Sequence, residues 1–266
     1  MLVGGLSLLA VGAVGAGAAS GLLPLPQGLR RLVADTGRDG VIPTAPAGRV
    51  RLERVRSRAR GRSVGLWTAV PAGHGDGAGL PVCLVLHGAS ATTADYDSFG
   101  FARFLTSAVR HGVAPFVLAG ADGGVSRWEG DGATDDPQRM LADELPGWCA
   151  ARGFDAERLA AYGWSMGGYG ALRLAQRDPG RLRAVAALSP AITSDDAAVA
   201  DAPLLEGRRT GLWCGRSDSL FDAVQALSRA MAPPPAVASF GKGAHQRGYW
   251  NRVTPAAFAF IGAGLG

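Results

Sequence analysis

The chain predicts an α/β fold: a mostly parallel sheet with helices on both faces. Three observations carry this. From residue 81 onward, strand-length apolar runs alternate with helical patterns, the order that lays strands side by side with helical crossovers between them. Pro81–Leu86 is a continuous apolar run, as in a strand buried on both faces. The apolar run Leu159–Gly163 enters a helical pattern through Gly163-Trp164-Ser165-Met166-Gly167. With 266 residues, 47% hydrophobic and 18% charged, the chain has material for one large domain core.

The net charge of +5 is modest, and Lys242 is the only lysine, so the basic character is arginine. Aromatics are 7% and no nucleic-acid-binding signature appears, so nucleic acid is not an expected partner. The cysteines Cys83, Cys149 and Cys214 are odd in number and so cannot all pair within the chain. Cys83 and Cys214 fall in strand-like runs and read as buried free thiols. No Cys-x-x-Cys or His/Cys cluster is present, so no metal or cofactor is expected.

Taken in order, residues 1–29 carry no charged side chain, and Ala16-Gly17-Ala18 resembles a leader cleavage site. Residues 1–19 are therefore read as a signal peptide, or as a membrane anchor if uncleaved. This predicts an exported protein, secreted or held at the cell envelope. The prolines at 24, 26, 43 and 46 mark residues 20–47 as a linker or loosely packed arm. The catalytic domain is then 48–266.

Arg49 to Arg62 holds seven arginines alternating with smaller and apolar residues, with a slip of phase at Glu53-Arg54. This reads as one half-exposed antiparallel strand with a solvated charged face, the slip marking a bulge. Ser63–Val70 is a second strand, joined to Pro81–Leu86 by a hairpin loop over Gly73–Gly79. Further strands are expected at 115–120, 158–163, 182–188, 210–214 and 236–240. Helices are expected at about 98–111, 136–152, 166–177, 219–231 and 254–263. Only about twenty residues separate Leu188 from Thr210, too few for a large lid domain.

The Gly-x-Ser-x-Gly turn between strand and helix is the nucleophile elbow, which presents Ser165 on a strained corner. Gly163 and Gly167 leave room for so sharp a turn. The helix that follows aims its first N–H groups at the serine oxygen. A serine hydroxyl needs a base, and the base needs a carboxylate to orient it. His245 is the only histidine after Ser165 and lies in a glycine-rich loop, so it is the candidate base. Asp218, where the chain leaves the strand ending at Cys214, is the candidate acid, with Asp222 as the alternative. At His87-Gly88-Ala89, Gly88 lets backbone approach substrate and Ala89 N–H joins Met166 N–H as an oxyanion donor. His87 precedes the nucleophile and is read as shaping this turn.

With these residues in place, the chain resembles the putative-esterase family of α/β-hydrolases. That group contains esterase D, feruloyl esterases and the mycolyltransferases of actinobacterial envelopes. The resemblance rests on Gly163 to Leu172, Leu86-His87-Gly88, and Gly243-Ala244-His245 with Tyr249-Trp250 beyond. It implies an α/β-hydrolase fold with Met166 and Ala89 as oxyanion donors. It also implies a pocket edge at Asp122-Gly123-Gly124 with Trp128, where this chain has Arg127-Trp128 in place of the family's Tyr-Trp. The substrate-facing set it suggests is His87, Gly88, Asp122, Trp128, Trp164 and Trp250.

The leading expectation is a serine carboxylesterase acting on small or polymer-attached esters through an acyl-enzyme on Ser165. An acyltransferase to a sugar acceptor uses the same triad and stays open. So does a non-catalytic surface-binding protein on the same scaffold.

Overall fold

The computed structural model describes residues 36–132 and 134–266. The expected leader, residues 1–19, and the first part of the arm lie outside the described residues. Eight strands form one sheet: β1 (Arg49–Ser57), β2 (Arg62–Val70), β3 (Pro81–Leu86), β4 (Val117–Ala121), β5 (Asp155–Trp164), β6 (Leu182–Leu188), β7 (Arg209–Trp213) and β8 (Val237–Ser239). Their order across the sheet is β1-β2-β4-β3-β5-β6-β7-β8. β1 and β2 are antiparallel to their neighbours, and β4 through β8 run parallel.

Alternation along the central strands explains the layering. On β3, Val82, Leu84 and Leu86 enter one apolar core while Cys83 and Val85 enter the other, because successive side chains point to opposite faces. Helix α1 (Phe101–Arg110) covers the second face, and α2 (Leu145–Ala150), α3 (Met166–Arg177) and α4 (Phe221–Ala230) cover the first. The last helix, α5 (Arg247–Leu265), packs beside α1. The segment between β6 and β7 holds only short helical turns at Ala197–Ala200 and Ala202–Leu205. The fold is therefore α/β-hydrolase-like and, among the described residues, has no large lid.

Five expectations need correction. The arginine-rich segment is not one strand. β1 ends at Ser57, and a turn at 58–61 leads into β2. The Glu144 carboxylate holds that turn, accepting from the Arg58 and Ala59 N–H groups at 2.8 and 3.1 Å. The phase slip is no bulge either, since β1 and β2 pair without a register shift. Instead Val50 packs on one core and Val55 on the other, so the edge strand changes the layer it serves. Gly73–Gly79 is not a hairpin loop, because β4 lies between β2 and β3.

Finally, α5 begins at Arg247, well before the expected residue 254, and carries Pro255 inside it. Proline removes one ladder N–H, but Tyr249, Phe258, Phe260 and Ile261 bury their side chains from this helix, and that burial outweighs the missing bond. The arm also packs closer than expected. The Gly40 N–H donates to Gly248 O at 2.8 Å and Arg252 donates to Thr36 O at 3.1 Å. Residues 36–40 are thus tied to the first turns of α5.

Candidate active site

The carboxyl ends of β3, β5, β6, β7 and β8 converge on Ser165. This residue joins β5 to α3 with φ 54° and ψ −122°, a region costly for a side-chain-bearing residue. Backbone bonds hold it there. Its N–H donates to Leu188 O at 2.9 Å, and its carbonyl accepts from Ala191 N–H at 2.9 Å. A Cβ on Gly163 would stand 2.2 Å from the Gly167 carbonyl oxygen, and one on Gly167 would stand 2.0 Å from Leu86 O. So Gly163 meets Gly167 across the turn, while Gly167 is required by β3. Met166 opens α3, so its N–H has no partner within the helix.

His245 follows β8 in the loop before α5. Its Nε2 lies 2.9 Å from Ser165 Oγ. Its Nδ1 lies 3.0 Å from Asp218 Oδ2 and 3.2 Å from Oδ1. The Asp218 side chain is wholly buried while that of His245 is about a third exposed. Burial works against the Asp218 charge, but the His245 N–H, the nearby imidazole and the Leu220 N–H outweigh it, and the carboxyl pKa falls below its ordinary value. The structure thus brings Ser165, His245 and Asp218 into one hydrogen-bonded line. Asp222 sits in the first turn of α4 and makes no hydrogen bond to His245.

Of the residues expected to face substrate, several serve the framework. His87 is 1% exposed. Its Nδ1–H donates to Gly88 O at 2.8 Å and its Nε2 accepts from Gly123 N–H at 2.9 Å. Burial, the largest influence, lowers its pKa, and the Gly123 bond requires an unprotonated Nε2. Trp128 is fully buried against the His87 ring, with its indole N–H donating to His87 O at 3.1 Å. The Trp128 ring is not available as a pocket wall, because tertiary contacts turned it inward, whereas the buried His87 still borders the cleft beside Ala89. Trp164 is likewise buried, packed against Gly88 and an aromatic cluster. Trp250 is half-buried and meets the His245 ring edge to face at 5.0 Å.

Asp122 is half framework, half site. Its carboxylate accepts from the Gly65 N–H and from the N–H and hydroxyl of Thr93 at 2.7–2.9 Å. It also borders a cleft of about 480 Å³ that includes Ala89, Ser90, Thr92, Arg62, Ser63 and Val125. Ala89 itself is exposed.

Other residues were not foreseen. Arg127 donates to Ala191 O at 2.8 Å, pairs with Asp196 at 2.5 Å and stacks over the Tyr169 ring at 4.2 Å. It clasps the loop after β6 beside Ser165. Both Arg127 and Trp128 have positive φ, 57° and 60°, so this corner is strained. Ser189, which directly follows β6, was also missed. Its place at the carboxyl end of a central strand was the available signal.

The three cysteines are buried and unpaired. Burial raises the pKa of each, that of Cys149 to about 12. Among the described residues no cluster of metal-ligating side chains occurs.

The putative esterase family model matches residues 57–252, well over half the chain. The chain belongs to that family. No curated protein matches it by sequence. Among solved structures, a ferulic acid esterase superposes with a TM-score of 0.72 at 21% identity, covering 82% of this chain and 98% of that one. The S-formylglutathione hydrolase of Agrobacterium tumefaciens gives 0.66 at 18% identity, covering 84% and 98%. The fluorophosphonate-binding serine hydrolase F of Staphylococcus aureus gives 0.67 at 17%, covering 81% and 98%. At these identities the structural likenesses bear on the fold. The family places this esterase among the hydrolases, with ester hydrolysis as its general reaction.

Proposed function

We propose that this esterase is a serine carboxylesterase working through an acyl-enzyme on Ser165. The observation that carries the reading is the unbroken line from Ser165 Oγ to His245 Nε2 at 2.9 Å and from His245 Nδ1 to Asp218 at 3.0 Å. His245 takes the serine proton as Oγ attacks the ester carbonyl, and gives it to the departing alcohol. Water then enters, gives its proton to His245 and attacks the acyl carbonyl, and Ser165 leaves with the proton returned. Asp218, ionised and buried, holds the imidazole and steadies its charged form. The N–H groups of Met166 and Ala89 receive the tetrahedral oxyanion. One such donor contributes about 2.7–4 kcal/mol to lowering a barrier of this kind.

The cleft beside Ala89 mixes an arginine, three hydroxyl side chains and the exposed Val125. Such a lining favours a short or polar group over a long buried acyl chain. The test is turnover of chromogenic esters of graded acyl length by wild type and Ser165→Ala. The reading requires turnover that vanishes in the variant and falls as the acyl chain lengthens; equal turnover by both proteins would end it.

A further inference from the structure

Two groups that this reaction sequence leaves unused stand directly behind the base and the acid. Ser189 is fully buried and has φ 43°, a conformation that disfavours any side chain with a Cβ. Its N–H donates to Trp213 O at 2.7 Å, tying the end of β6 to β7. Its hydroxyl accepts from the Trp250 indole N–H at 3.2 Å. The same indole meets His245 edge to face, with centroids 5.0 Å apart and planes at 89°.

The proton count gives this arrangement a direction. An indole N–H only donates, so it occupies a lone pair of the Ser189 oxygen and leaves the single hydroxyl proton to point elsewhere. Asp218 already receives Leu220 N–H on Oδ1 at 3.0 Å and His245 on both oxygens. A carboxylate has about four acceptor positions, so one remains; the Cys214 thiol beside it has the Gly215 carbonyl at 3.8 Å for its own weak donor. The Ser189 hydroxyl is among the groups that hold the Asp218 pKa down. The other neighbour of that hydroxyl, the Cys214 sulfur, is the weaker acceptor.

We propose that Trp250 and Ser189 are positioning residues for the Ser165–His245–Asp218 line. The indole N–H orients the serine hydroxyl toward the Asp218 carboxylate, while the indole ring holds the His245 imidazole in the plane that reaches Ser165. The proposal rests on the acyl-enzyme reading. It goes beyond the triad by naming what fixes the acid and base relative to each other, and it accounts for a strained serine at a buried position.

Trp250→Phe keeps a ring against His245 and removes only the N–H. Ser189→Ala removes the hydroxyl, and Ser189→Gly does so while relieving the strained backbone, which covers the case of an alanine variant that fails to fold. For each, kcat, KM and the pH profile of kcat/KM are measured, together with wild-type labelling by a fluorophosphonate. Each variant is expected to lose about tenfold in kcat, the order of one hydrogen bond to a charged group, with KM unchanged. The double variant is expected to lose no more than the worse single one. The acid limb of the profile is expected to move to higher pH, because a carboxylate with one donor fewer attracts the protonated imidazole more strongly. Losses that multiply in the double variant with an unmoved acid limb would mean packing alone and overturn the proposal, as would full activity in Ser189→Gly. A wild type that does not label would overturn the acyl-enzyme reading and this proposal with it. Labelling with undiminished variants would overturn the proposal alone.

Discussion

Asp218 spreads both carboxylate oxygens around one hydrogen of His245, Oδ2 at 3.0 Å and Oδ1 at 3.2 Å. That contact selects the tautomer in which Nε2 is free to accept from Ser165. Asparagine at 218 keeps the shape and loses the charge, and its amide favours the wrong tautomer. Asp218→Asn is therefore expected to lower kcat by about 10⁴ with little change in KM. Asp222→Asn, one turn into α4, is expected to leave kcat within twofold, a margin on the order of 0.4 kcal/mol. Steady-state kinetics on the two variants decide between them; a large loss from the second would assign the acid to Asp222.

The His87 ring makes a pH prediction. Burial lowers its pKa in the folded chain, while an unfolded histidine titrates near about 6.5. Below that pH the unfolded chain binds a proton that the folded one refuses, so the stability is fully present above it and is lost as pH falls. His87→Gln offers the same acceptor and donor without titrating. Urea denaturation at pH 8 and pH 5 is expected to show wild type losing more stability on acidification than the variant. The difference has a ceiling of about 1.4 kcal/mol per pH unit. Parallel losses would mean that His87 does not titrate on unfolding.

Arg60 departs furthest from the solvated face expected of its segment. It is 3% exposed, with its guanidinium bonded to Asp135 and to the Asp122 carbonyl. The Asp135 side chain is about 30% exposed and also pairs with Arg62, so its loss leaves the buried Arg60 guanidinium short of one partner, and Asp135→Ala is expected to destabilise the fold by about 1–3 kcal/mol. Arg58→Ala, on the exposed turn, is expected to stay within about 0.5 kcal/mol. Equal midpoints for both in urea unfolding would mean that the Arg60 pair is solvated after all.

What the sequence made legible was local or ordered along the chain. The helix 166–177 and the strand 182–188 match the structure at both ends, because apolar periodicity and the glycine turn are written in consecutive residues. Ser165, Asp218 and His245 were found because their order along the chain follows from the order of the strands. The turn at 58–61 was hidden because arginines alternate straight through it. The buried end of Arg60 was hidden because its partner Asp135 lies 75 residues away. The inward turn of Trp128 is hidden because a pattern says where a residue falls along a strand end and not whether its ring turns inward. The same limit concealed Ser189 and the Arg127–Asp196 clasp, whose partners come from other strands and loops.

The central claim is that Ser165 is an activated nucleophile. Labelling of the purified protein by a fluorophosphonate, with the modified peptide identified by mass spectrometry, tests it most directly. One label is expected on wild type, at Ser165, and none on Ser165→Ala or on His245→Ala. No label on a cooperatively folding wild type, or a label that persists in Ser165→Ala, would contradict it.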